Sequence, residues 1–356
     1  QAPNTPNTTP CHMDTRKVQQ LGPSTLAITL PAAWTATHNV EKGDELIVHE
    51  GRGTLTASTE EAGGERAEAV VHVDKLEADA VERAIIAQYV LGRRIIHIEA
   101  EDALGSGVID AVYSAETQLM GLGVVEETPE RITVRCSVDP GDFTLENLLE
   151  RLESTGRTMR GEAVKALVRG NPDLAERAIN RERQANKIFV LLLRLVYTIH
   201  QSPAVASRMG MDDTLPLVGY RSIAKNLELT ADNAEDIATI VLETDGEAFD
   251  VDQSTMREIR ELTDEVDELT TLAVEAVIER DYLLTTEIKR RFRAVKERQE
   301  ALLAGLPELP NAELLEIREV LVSIQETAQY AIRNAEIAAN LALHEKSEYV
   351  SVQEER

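Results

Sequence analysis

From Phe143 to the end of the chain, apolar residues recur three and four positions apart, with Gly and Pro confined to junctions, which is the pattern of amphipathic helices. Ile259, Leu262, Val266, Leu269, Ala273 and Val277 draw one such stripe. The pattern predicts two similar sets of three helices: 145–169, 174–202 and 214–244, then 254–279, 282–303 and 312–345. Loops are expected at 169–172, around Gly246, at Arg280-Asp281 and over 305–311.

Ahead of this region the period changes. Strand patterns at 67–73 and 93–98 alternate with helical ones at 77–89 and 107–120, and 124–127 with 132–138 reads as a hairpin across Thr128–Arg131, so a small two-layer α/β domain is expected. Gly105-Ser106-Gly107 opens its second helix; it lacks the third glycine of a dinucleotide fingerprint and the lysine of a P-loop, and reads as a turn before it reads as a phosphate cradle. Nearer the start, Leu26, Ile28 and Leu30 alternate as a half-buried strand, Pro31 opens a short helix over 32–38, Asn39 is a candidate left-handed cap, and 46–50 resumes strand after the Gly43 turn. Such short strands bury too little surface to stand alone, so this module is expected to dimerise.

The motif LGPSTLAITLPAAW (21–34), followed by VEKGDELIV (40–48), resembles the AbrB-type swapped-hairpin family. The resemblance implies two chains interleaved into one β-barrel, with Arg16 and Lys17 on DNA phosphates and Ser24 and Thr25 as hydrogen-bond donors at the turn. Trp34 would then plug the dimer core. The same module serves some relatives only as a dimerisation clamp facing a protein partner, and both readings stay open.

The helical region resembles the PhoU family of paired three-helix bundles linked to control of phosphate uptake. LELTADNAEDIA (227–238) lies over that family's Glu-x-x-x-Asp fingerprint, and INRERQAN (179–186) holds the companion position on the preceding helix. The resemblance implies a possible divalent metal in the first bundle, held by Glu182, Asn186, Glu228 and Asp232, since a spacing of four puts each pair on one helix face. A solvated acidic face is the plainer alternative. Asn186 replaces a carboxylate, and the second repeat has Gln329 and Arg333, with Glu287 facing Arg291, so no metal is expected there. Phosphate transporter or sensor components are the partners this family implies.

The fold expected is therefore multidomain α+β: a leader (1–13), a swapped-hairpin module (14–59), an α/β domain (66–139), two PhoU-like repeats (143–245 and 253–348) and a short tail (349–356). The Pro-, Asn- and Thr-rich leader has no apolar core and reads as a disordered extension or vector remnant. A linker is expected at the acidic, glycine-rich 60–65.

Charge then tests the DNA reading. With 63 acidic against 37 basic residues the formal net charge is −26, which repels a polyanion at long range. The acids are spread along the chain, aromatics are only 3%, and the balance suits a halophilic host, where screening shortens that repulsion to a few ångströms. Cys11 and Cys136 are too few for a disulfide framework or a cysteine-ligated zinc, and the longest apolar run, 188–196, is broken by Arg194 and falls short of a bilayer span, so a cytoplasmic protein without membrane insertion is expected. Seven scattered histidines give no catalytic signature, His97 between Ile96 and Ile98 reading as packed; the chain is expected to be a non-enzymatic regulator.

Overall fold

The structure is a computed structural model that describes residues 15–51, 54–59, 68–211, 213–244, 251, 253–306, 311–344 and 348–351. The expected leader, the 60–65 linker, the Arg52-Gly53 turn and the loops around Gly246 and at 307–310 lie outside the described residues. The chain divides into a unit over 1–61 and a unit over 62–356.

In the first unit β1 (Gln19–Gln20) pairs antiparallel with β2 (Leu26–Ala27), and the Leu21 N–H donates to the Thr25 carbonyl at 3.0 Å to close the turn. Helix α1 (Ala32–Thr37) follows Pro31, and Asn39 takes the left-handed conformation expected of it, with φ of 52°. β3 (Ile47–Gly51) and β4 (Thr54–Ser58) form a second hairpin. The expected half-buried strand over Leu26–Leu30 is shorter and uncovered: only Leu26 and Ala27 are in the ladder, and Leu26 is 70% and Ile28 55% exposed. Among the described residues of this unit there are two separate two-stranded ladders and no closed barrel.

The second unit begins with the α/β domain. β5 (Glu68–His72), α2 (Ala78–Val90), β6 (Ile95–Glu99), α3 (Ser106–Gln118), β7 (Leu122–Glu127) and β8 (Arg131–Cys136) build one four-stranded sheet of order β5-β6-β8-β7. β5 and β6 are parallel through the α2 crossover; the other pairs are antiparallel, with a register shift between Val124 and Glu126. Val71, Ile96, Ile98, Ile132 and Val134 point to the helix-covered face and meet Val81, Ile85 and Val112. His97 points the other way. It is Ile96 and Ile98 that pack, while His97 sits partly buried beside Thr133 Oγ1 at 3.0 Å and Glu68 at 3.6 Å. Gly105 merely caps α3, with no side-chain bond.

The helices are α4 (Leu145–Arg169), α5 (Pro172–Gln201), a short α6 (Pro203–Arg208), α7 (Pro216–Glu243), α8 (Gln253–Ile278), α9 (Tyr282–Ala304) and α10 (Asn311–Ala342). Local chemistry sets their ends. Thr144, Asn171 and Asp281 accept the Asn147, Leu174 and Leu284 N–H groups as N-caps, and Gly170, at φ of 57°, closes α4 in the left-handed region that glycine adopts without a Cβ penalty. The one helix the periodicity does not announce is α6, where Pro203 breaks from α5 and the Ser202 side chain caps the new start. The apolar stripe of α8 is buried throughout, and a single core cluster runs through α4, α5, α7, α8, α9 and α10, so the two three-helix sets are fused and not merely tethered.

Candidate functional sites

Arg16 and Lys17 precede β1, while Ser24 and Thr25 occupy the turn at its far end; all four are exposed. Within one chain the two pairs sit at opposite ends of a hairpin and do not form one patch. Around them Val18, Leu21, Leu26 and Leu55 are each more than 60% exposed, an uncovered apolar surface on a module of only some forty residues.

In the first helical repeat, α5 and α7 bring carboxylates together. Burial raises the Glu182 pKa, and the negative charges of Glu235 and Glu228 raise it further. Asp232 is pushed up to about 6, first by burial and then by Glu228, with Glu182 and Glu235 adding to the repulsion. Burial also raises Glu235. Three of the four expected residues thus face one another, and Glu235 joins them. It lies three positions after Asp232 and seven after Glu228, on the same helix face, so its spacing carried the signal. Asn186 is half-buried one turn from Glu182.

Carboxylates and an amide oxygen suit a hard cation. As placed, however, they do not fit one: the Lys225 ammonium pairs with Glu228 inside the cluster, and among the described residues no three His, Cys, Asp or Glu side chains converge as a metal centre. In the second repeat Glu287 accepts from Arg290 and Arg291, whose guanidinium groups draw its pKa down to about 2, and Arg333 lies over the Tyr330 ring at 5.3 Å. Glu287 is therefore taken up by arginines, and Arg333 rests on an aromatic ring.

Two buried arginines join the parts; the sequence marked Arg194 only as a break in an apolar run and gave no signal for Arg160. Arg160 of α4, 1% exposed, donates Nε to Asp267 at 2.7 Å and an Nη to Thr270 at 3.1 Å, linking the first helices of the two repeats. Glu153 accepts from Thr270 and Thr271 in the same layer. Arg194 of α5, 4% exposed, donates to the carbonyls of Tyr89, of Arg93 at 3.0 Å and of Gly92 at 3.2 Å, and its guanidinium lies 4.7 Å from the centre of the Tyr89 ring. It caps the carbonyl end of α2, where a cation is favoured, and so fastens the α/β domain to the first repeat.

Comparison with known families agrees with both halves of this geometry. Residues 149–241 match the family model described as PhoU domain, and residues 19–58 match the one described as antidote-toxin recognition MazE, bacterial antitoxin. Among solved structures the chain is similar to PhoU from Pseudomonas aeruginosa, at 17% identity and a TM-score of 0.44, covering 55% of this chain and 94% of that one. No curated protein matches. No helix among the described residues is long and apolar enough to cross a membrane. The chain carries a PhoU domain in its helical region and a MazE/AbrB-type domain at its amino end.

Proposed function

We propose that this protein is a dimeric, non-enzymatic transcriptional regulator of phosphate homeostasis in the cytoplasm. Two MazE/AbrB-type modules interleave into a barrel that contacts DNA, and the PhoU-like helices sense or relay phosphate status. The observation that carries the reading is the bare apolar surface of the first unit. Leu21, at 73% exposure, with Leu26, Ile28 and Leu55, has no cover among the described residues of its own unit, and a second copy of the same hairpins offers complementary strands and side chains. In that dimer Arg16 and Lys17 hold phosphates, while Ser24 and Thr25 donate at the turn. A signal that binds the helical repeats differently in two dimer arrangements shifts the separation of the two cationic edges and hence the operator affinity.

The test is footprinting of the purified full chain at molar salt on promoters of phosphate-responsive genes. Preferential protection of those promoters is expected, with Arg16→Ala and Lys17→Ala weakening binding to all sequences alike. Indifference between these promoters and random DNA would overturn the reading. The charge of −26 favours one rival, an adaptor in which the amino-terminal module only dimerises and the helices dock on a phosphate transporter or sensor kinase. Crosslinking in cells that recovers such a subunit and no DNA would decide for it.

A further inference from the structure

A cleft of about 600 Å³ opens between α4, α8 and α9, on the far side of Asp267 from the buried Arg160. Arg157 and Lys165 line it from α4, Arg260 from α8 and Arg291 from α9, so four cations from three helices meet in a chain with nearly twice as many acids as bases. The carboxylates in the cleft are mostly spoken for. Asp267 is held by Arg160 at 2.7 Å, and Glu268 by Arg291 at 3.1 Å. Lys165 and Arg260, on opposite walls, have no ion pair or hydrogen bond among the described residues, and Arg157 reaches Glu153 only at 3.5 Å. Asp264 is the one lining carboxylate without a cation on it among the described residues.

The cleft is also kept open. Gly161 lies in the middle of α4, where glycine weakens a helix relative to alanine, and a Cβ there would meet nothing within 4 Å. The volume is that of a small-molecule pocket and many times that of a bare oxyanion.

From this we propose that the cleft binds an organic phosphate of about mononucleotide size. The phosphate groups lie between Lys165 and Arg260, with the planar fork of Arg157 at the margin, while Arg291 stays on Glu268 and Glu287, and Asp264 accepts from an N–H or O–H donor on the organic part. Bound there, the molecule ties the first helix of one repeat to the first two helices of the other. The assignment stands apart from the DNA reading: a protein that never touches DNA would still bind through this cleft.

Equilibrium dialysis of the full chain against ATP in metal-free buffer tests it, with orthophosphate and citrate as parallel probes. One saturable ATP site per chain is expected, with the two small anions much weaker. The double variant Lys165→Glu/Arg260→Glu, both positions exposed, should lose at least about tenfold in affinity. Gly161→Leu, which improves helix propensity and fills the opening, should lose binding while circular dichroism and the melting temperature hold. Absence of saturable ATP binding in the millimolar range overturns the proposal. So does unchanged affinity in folded variants, and orthophosphate or citrate binding as tightly as ATP would overturn the assignment to an organic phosphate.

Discussion

Replacing Arg194 by Met removes the guanidinium that joins α5 to the carbonyl end of α2, while keeping most of the side chain's bulk. Tyr89 O retains the Gly92 N–H at 3.0 Å, so the loss falls on the carbonyls of Gly92 and Arg93, each of which surrenders a guanidinium donor. Hydrogen bonds to a charged group contribute about 1.5–3 kcal/mol each, and the contact with the Tyr89 ring adds about 1 kcal/mol. Against these stands the cost of burying a guanidinium at 4% exposure, which methionine does not incur. The net loss should be about 3 kcal/mol, or roughly 6–10 °C in melting temperature for a domain of this size. Hydrogen exchange resolves where it falls: amides of residues 87–94 and of the facing turn of α5 should lose protection while those of α8 to α10 keep theirs. Arg194→Lys, which keeps the charge but loses the fork, should lie between. If the methionine variant melts within about 2 °C of the parent and residues 87–94 stay protected, the clamp does not hold the two parts together.

Asp232→Asn should stabilise the protein at pH 7.5. The folded-state pKa of Asp232, about 6, lies above its ordinary value of 3.8, so the carboxylate destabilises the fold at high pH, and stability should rise as pH falls from above 6 towards 4. Thermal melts across that range should show a slope in the parent that is reduced in the variant; a variant less stable than the parent at pH 7.5 would show that the carboxylate serves a favourable contact. For the proposed dimer, Leu26→Asp with Ile28→Asp, both at exposed positions, should give a monomer by light scattering without a loss of helical circular dichroism, and a mass unchanged from the parent would overturn this interface.

The helices were legible because their information is local. The α4 span 145–169 coincides with the periodic stretch, since Thr144, Gly170 and the stripe between them specify start, stop and buried face within one segment. The acidic cluster was legible in part: the i, i+4 spacing placed Glu228 and Asp232 together, while Lys225, three positions earlier on the same face, is what turns the cluster from a cation cage into an ion-paired group. The amino-terminal strands were legible as a pattern and not as a burial. Alternation in Leu26, Ile28 and Leu30 states which side chains share a face, and among the described residues that face stays exposed.

By itself the sequence determined most of the elements, their order and the identity of the faces that must be covered, because propensity, capping and periodicity act over a few residues. Only the tertiary structure decided what Arg160 and Arg194 do. In the sequence one is an unremarked charge and the other an interruption in an apolar run; in the fold each reaches acceptors about a hundred residues away and becomes the polar joint of a buried interface. Such partners are set by packing across the chain, where a buried guanidinium must find oxygens or not be buried at all.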